Sequence, residues 1–168
     1  MYLAYDDVNG AHRIKVQSDG SVTMPNQPAF SVRPAAQSNF AINTDHTIVF
    51  NNEVFDVGSN FNDGSSGTPY SFNAPVTGKY QLNIYMLLID VPADCDYVYL
   101  TVNTSNRVYQ TYFDAGVMDQ TSAAHTLNLS VVADMDANDK AYIQLRQNGG
   151  SATMDLNTET YFSGYLVA

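Results

Sequence analysis

The chain is short of cysteine, of positive charge and of helix formers, and each shortage removes a class of protein. One cysteine, Cys95, has no partner for an internal disulfide, so stability must come from core packing and assembly. Seven Lys and Arg stand against 17 Asp and Glu, a net charge of -10, which disfavours binding through the phosphate backbone, so no nucleic-acid partner is expected. Glutamate occurs only as Glu53 and Glu159, while Asn, Asp, Thr, Ser, Tyr and Val abound, the mixture of strands joined by tight turns. No window approaches the ~18 apolar residues of a membrane span, and MYLAYDDVNGAHRIKVQ lacks a basic start and an apolar signal region. The expectation is a soluble protein made in the cytoplasm without a signal peptide and with no membrane insertion.

Catalytic patterns are missing too. His12, His46 and His125 lie in separate segments with no HxH or HExxH spacing, and there is no GxSxG elbow, P-loop or GxGxxG. Cys95 stands between Asp94 and Asp96, whose charges would raise its pKa and blunt a thiolate nucleophile. Aspartate is so plentiful that a pair of carboxylates carries no signal of glycosidase chemistry. The expectation is a non-enzyme. Asn103 and Asn128 match the glycosylation sequon, read here as chance in an Asn-rich chain.

What remains is an all-β pattern in one domain. Residues 1–27 form a leader, with a hairpin-like alternation in RIKVQSDGSVTMP turned by Asp19 and Gly20. Beyond it, short apolar alternations predict strands near 30–32, 47–50, 54–57, 70–72, 80–89, 97–102, 107–113, 126–132, 141–146 and 159–167. Turn-rich connections such as SNFNDGSSGTP, DVPADCD, MDANDK and QNGGSA separate them. About ten strands at that spacing predict a sandwich or jelly roll.

Two of these strands are apolar on both faces. In TYFSGYLV, Tyr161, Tyr165 and Val167 fall on one side, and Phe162, Gly164 and Leu166 on the other. In KYQLNIYMLLI one face holds Tyr80, Leu82, Ile84, Met86 and Leu88. The other face changes from Lys79, Gln81 and Asn83 to Tyr85, Leu87 and Ile89. A helix over the sheet is the alternative for the second segment, but Gly78 and Pro92 bound a short Tyr/Ile-rich run that favours a strand. Apolar side chains on an outward face require a cover from outside the chain's own core, and a second copy is the natural one.

With the strands placed, residues 28–168 resemble the complement C1q-like domain, related in fold to the tumour-necrosis-factor jelly roll. The resemblance is carried by PAFSV, IVFNNEVFDVG, SFNAPVTGKYQLNIY, LNLSVVADMDANDKAYIQL and the ending YFSGYLV, in that order and spacing. It implies a ten-stranded sandwich of two five-stranded sheets assembled as a homotrimer. The last strand and the strand after the Gly-aromatic pair would lie in the sheet facing the threefold axis. Tyr85, Leu87, Ile89, Tyr161, Tyr165 and Val167 are then the trimer-interface residues. No collagen repeat and no heptad stalk precedes the domain. Instead, SDGSVTMPNQPAFSV is similar to the junction before such domains in tailed-bacteriophage fibres and virion surface proteins.

That resemblance implies an outward knob on a virion, as a fibre tip or on the head. Its partners would be itself, another virion protein through residues 1–27, and a glycan or protein of the host envelope. A capsid decoration protein that stabilises the head and a bacterial C1q-like soluble lectin are the alternatives. No cofactor is required, and calcium is the one candidate. DMDAND gathers Asp134, Asp136 and Asp139 like the opening of a calcium loop, but Asp139 stands where such a loop needs Gly and Leu145 where it needs Glu. As a solvated turn it needs no metal. Asp94 and Asp96 could meet other acids near a trimer axis. Tyr97, Tyr99, Tyr109 and Tyr112 offer flat faces with polar tips suited to sugar rings or protein loops.

Overall fold

The computed structural model describes residues 2–6, 11–64, 70–118 and 120–168. The last five residues of the SNFNDGSSGTP connection, 65–69, lie outside them. In the leader, β1 (Tyr2–Asp6), β2 (Ala11–Val16) and β3 (Val22–Thr23) form an antiparallel sheet of their own. Asp19 and Gly20 do turn the β2–β3 hairpin. Gly20 adopts φ 86°, the left-handed region open to glycine, and the Ser21 N–H donates to Asp19 Oδ1 at 2.9 Å. Among the described residues this small sheet pairs with no strand of the remainder.

The remainder is built from β4 (Ala29–Pro34), β5 (His46–Thr47), β6 (Phe50–Val57), β7 (Phe61–Asn62), β8 (Ser71–Asn73) and β9 (Gly78–Val91). It continues through β10 (Tyr97–Thr104), β11 (Val108–Phe113), β12 (Ser122–Met135), β13 (Lys140–Asn148), β14 (Asp155–Leu156) and β15 (Tyr161–Leu166). The front sheet runs β12-β9-β15-β4-β6, with β14 on β9; the back sheet runs β11-β10-β13-β8-β7, with β5 on β13. This is the all-β jelly-roll sandwich that the sequence implies, each five-strand path carrying one added two-residue strand.

Two details differ from the sequence reading. The segment read as one strand over 47–50 is a crossing between sheets: β5 pairs with β13 at the back and β6 begins at Phe50 in front, with Ile48 buried between them. The two-residue strands β7 and β14 are too short to show an alternation. The helix alternative for 79–89 is excluded, since β9 is a 14-residue strand paired along almost its whole length with β12.

Period-two alternation fixes what is inside. Tyr80, Leu82, Ile84, Met86 and Leu88 of β9 face Val98, Leu100 and Val102 of β10 and Ile143 and Leu145 of β13 across the core. Phe30 joins the sheets, its ring 4.6 Å from Phe72 at the back, 5.5 Å from Phe61 and 5.0 Å from Phe162 beside it. These offset and edge contacts add to the burial of each ring.

Gly164 of the YFSGYL strand admits this packing. A Cβ built there would stand 2.8 Å from Phe30 Cε1, 2.8 Å from Leu82 Cδ2 and 2.9 Å from the Gln81 carbonyl oxygen. Two of those neighbours are core side chains and the third is backbone, so none can yield freely. Gly164→Ala is expected to cost about 1–3 kcal/mol through overpacking, lowering the melting temperature by roughly 2–12 °C. An unchanged melting curve would show that the core is looser than these distances require.

Candidate functional site

Among the described residues no group of three or more His, Cys, Asp or Glu gathers as a metal or catalytic cluster. The features that stand out are instead the outward faces of the two sheets. On the front sheet, antiparallel register lays side chains in cross-strand rows. One row is Val132, Gln81, Tyr165, Ala29 and Val57; the next is Ser130, Asn83, Ser163, Ser31 and Phe55. A third sets Asn128 beside Tyr85 and Tyr85 beside Tyr161, after which come Thr126 beside Leu87 and Ala124 beside Ile89.

All six residues assigned to a trimer interface lie at this face, in two patches. Tyr85, Leu87, Ile89 and Tyr161 form one. Tyr165 and Val167, joined by Val132, form the other. Between them runs a hydroxyl and amide band that the apolar pattern did not reveal. Gln81 Nε2 donates to Ser130 Oγ at 2.8 Å, and Ser130 Oγ donates to Asn83 Oδ1 at 2.8 Å. A shallow hollow of about 390 Å3 opens over this band, walled by Tyr85, Tyr161 and Asn128. Tyr161 is braced by Arg33, whose guanidinium carbon lies 5.0 Å from the ring centre while an ion pair at 2.6 Å ties it to Glu159. Within one chain the patches are not covered: Tyr85 is 42% exposed and Tyr165 49%.

The back sheet carries a second concentration of aromatics. Tyr112 of β11 lies opposite Tyr99 of β10, and Tyr97 is two residues away on the same face. The ring centres are 5.4 Å apart for Tyr99 and Tyr112, 5.8 Å for Tyr97 and Tyr112, and 6.3 Å for Tyr97 and Tyr99. Tyr99 Oη donates to Asp45 Oδ1 at 2.5 Å, and Arg146 approaches the same carboxylate at 3.7 Å. Tyr109, grouped with these by sequence, points the other way and packs against the core.

The five candidate metal ligands divide between the two ends of the sandwich. Asp94 and Asp96 precede β10, whereas Asp134, Asp136 and Asp139 flank the β12–β13 turn at its far end, about 25 Å along the eight-residue strand. Asp134 is clasped by Arg107, Nε to Oδ1 at 2.9 Å and Nη2 to Oδ2 at 2.8 Å, and those bonds hold its carboxyl down at about pKa 2. Asp139 Oδ2 accepts from the Asp136 N–H at 2.8 Å and from Asn106 at 3.1 Å. Asp136 Oδ1 accepts a long bond from Thr77 Oγ1, at 3.5 Å. Asp94 accepts both the N–H and the hydroxyl of Ser151, and Asp96 accepts Asn148 Nδ2. Each carboxylate thus has a protein partner that explains its place in a turn.

The other reactive types are equally engaged. His46 meets Phe40 at 5.1 Å, and His125 stacks on Phe113 at 3.7 Å with its pKa lowered by burial. His12 lies in β2, but its side chain is outside the described ones. Cys95 is buried, and burial first, then the charges of Asp94 and Asp96, raise its pKa to about 11.

The sequence profile of the C1q domain matches residues 29–167. No curated protein matches the chain. Among solved structures, the globular domain of zebrafish complement 1qA protein aligns with TM-score 0.60 and 16% identity, covering 84% of this chain and 98% of its own. Murine APRIL aligns with TM-score 0.59 and 13% identity, covering 84% and 99%. Eiger TNF from S. frugiperda aligns with TM-score 0.56 and 11% identity, covering 84% and 94%. At these identities the likeness is one of fold.

The thiol provides a direct check of the site electrostatics. A pKa of about 11 in place of 9.0 leaves about a hundredfold less thiolate at pH 8, before any steric shielding. Iodoacetamide is therefore expected to label Cys95 at least 100-fold more slowly in the native protein than in denaturant. Because the folded pKa is the higher one, the associated stability is present below pH 9 and is lost as the pH rises toward 11. Native labelling within a few-fold of the denatured rate would show that Cys95 is accessible and ionisable.

Proposed function

Because the chain belongs to the C1q domain family, we propose that it is a non-enzymatic homotrimer serving as an outward knob on the surface of a tailed-phage virion, where it contacts the host cell envelope. The observation that carries the assembly is the front face, where Tyr85, Tyr165 and Val132 are half exposed on a sheet whose other side is core. Two half-exposed aromatic and aliphatic patches on one sheet face, with a self-bonded polar band between them, mark an interaction site in a monomer. Charges near it come largely in matched sets, Arg33 with Glu159 and Arg107 with Asp134, so a second copy meets little unpaired charge there. The hydroxyl and amide band would give the contact its register, since each polar group must find its partner when water is excluded.

The mass in dilute solution tests this reading. Three copies of 18.4 kDa give about 55 kDa by light scattering, and a monodisperse species of single-chain mass at micromolar concentration would end the proposal. Leu87→Asp is expected to abolish assembly, since each interface would bury an unpaired charge worth about 3–5 kcal/mol.

The virion setting is supported by the SDGSVTMPNQPAFSV approach to the domain and by the separate sheet of the leader, which offers β-strand edges to another protein. Deleting residues 1–25 is expected to leave a folded trimer that no longer joins particles. Normal incorporation of the truncated protein would dismiss the leader as anchor. Imaging of particles with and without the protein would separate the knob from a head decoration protein by position, and absence from purified particles would favour a soluble lectin.

A further inference from the structure

The tyrosine cluster of the back sheet has no role in the assembly just proposed, and its surroundings are unusual for a protein-binding patch. Three consecutive cross-strand rows on this face contain no aliphatic side chain. Tyr97 lies beside Asn148; Tyr112, Tyr99 and Arg146 follow; then come Gln110, Thr101, Gln144 and Thr47. Val98, Leu100, Ile143 and Leu145 of these strands face the core, and the one outward aliphatic residue beside these rows, Val108, stands one row further on, opposite Asn103. What remains outside is flat aromatic surface framed by amides, hydroxyls, one guanidinium and one carboxylate.

We infer that Tyr97, Tyr99 and Tyr112 form the platform of a glycan-binding site that takes pyranose rings of a cell-envelope oligosaccharide. A pyranose presents an apolar C–H face and a rim of hydroxyls. The tilted rings, 5.4–6.3 Å apart, match the first. The rim needs mixed donors and acceptors in fixed places. Arg146 Nη1 stands 3.7 Å from Asp45 Oδ1, and Asp45 is already oriented by Tyr99, so a guanidinium and a carboxylate are held side by side at one edge of the rings. Gln110 lies within 3.4 Å of Tyr112 Oη at the other edge. Tyr112, at 60% exposure, is the ring most open to a ligand. A phosphate-rich or other strongly anionic polymer is disfavoured by the net charge of -10.

The position in the molecule agrees. The leader joins the sandwich where Gln27 Nε2 donates to the Leu166 carbonyl and where the chain end pairs with Lys79, at the start of β9. Tyr97 opens the strand that follows the end of β9, so the platform lies toward the opposite end from the leader. The 14 residues of β9 span about 45 Å between those ends. The inference rests on the knob reading in one respect, that this sheet stays outward in the assembly.

The test uses the full-length chain on a panel of immobilised oligosaccharides of neutral hexoses, N-acetylhexosamines and uronates, followed by titration calorimetry with the strongest binder. At least one is expected to bind with a Kd below about 10 mM. Tyr112→Ser and Tyr97→Ser should each weaken it at least tenfold without moving the melting temperature or the assembled mass. Asp45→Asn should weaken it too, and Val54→Ser on the other sheet should not. Absence of any binder, or undiminished binding by Tyr112→Ser, overturns the site. A change in assembled mass on Tyr112→Ser also overturns it, because the cluster would then be a contact between copies. All of these readouts use free protein, so failure to join particles counts against the virion reading alone.

Discussion

The β9–β12 ladder is the constraint on which the surfaces depend. Thirteen register pairs, from Ser122 with Val91 to Met135 with Gly78, tie two 14-residue strands together without a shift. Because a slip of one residue would turn every side chain to the other face, this length fixes at once which half of KYQLNIYMLLI is core and which is surface. β15 then has one place to go, beside β9, where Tyr161 meets Tyr85 and Tyr165 meets Gln81. The front face follows from that pairing. So does Gly164, whose missing Cβ leaves room for Phe30 and Leu82 beneath the strand.

The two outward faces then differ in chemistry for a physical reason. The front face has aliphatic and aromatic patches at its ends and self-bonded hydroxyls and amides in its middle, a composition that can be dehydrated as a whole. The back face has rings surrounded by groups that remain hydrogen-bonding to solvent. A surface of that kind loses little by staying wet and is poorly suited to a dry protein contact. With a net charge of -10 on each chain, long-range repulsion would oppose the proposed assembly, which favours a contact through the face with the least unbalanced charge.

Much of this was legible in the sequence because period-two alternation survives in strands as long as β9 and β15. The period separates Tyr85, Leu87 and Ile89 from the opposite face of β9, and Tyr161, Tyr165 and Val167 from that of the last strand; the resemblance to the C1q-like domain picks these six as the outward set, and neither shows their grouping into two patches. The band of Gln81, Asn83, Ser130 and Ser163 was invisible because polar residues at outward positions read as ordinary solvent-facing ones. Only the cross-strand register brings them together. The clasp of Asp134 by Arg107 escaped for a similar reason, since 27 residues separate the partners. Tyr109 was grouped with Tyr97, Tyr99 and Tyr112 by kind. Its parity on β11 already separates it from Tyr112, three residues on, and the structure turns it inward.

The turn chemistry gives the aspartates of the two acidic connections roles of their own. MDANDK closes the β12–β13 connection with Asn138 in the left-handed region, φ 75°, and its N–H donates to the Ala74 carbonyl at 2.7 Å. The Asp139 carboxylate then folds back onto the Asp136 N–H, which short polar side chains do readily in tight turns. Asparagine and aspartate at these positions are explained by backbone geometry before any ion is considered. DVPADCD follows the same logic, with Asp94 satisfying the backbone and hydroxyl of Ser151 beside Gly150 at φ 74°. A site that recruits such carboxylates for a cation must first break those bonds, which makes cation binding compete with the turn itself. A sugar stacking on the proposed platform would displace water from the exposed ring of Tyr112, whereas a rim contact at Asp45 would have to share that carboxylate with Tyr99.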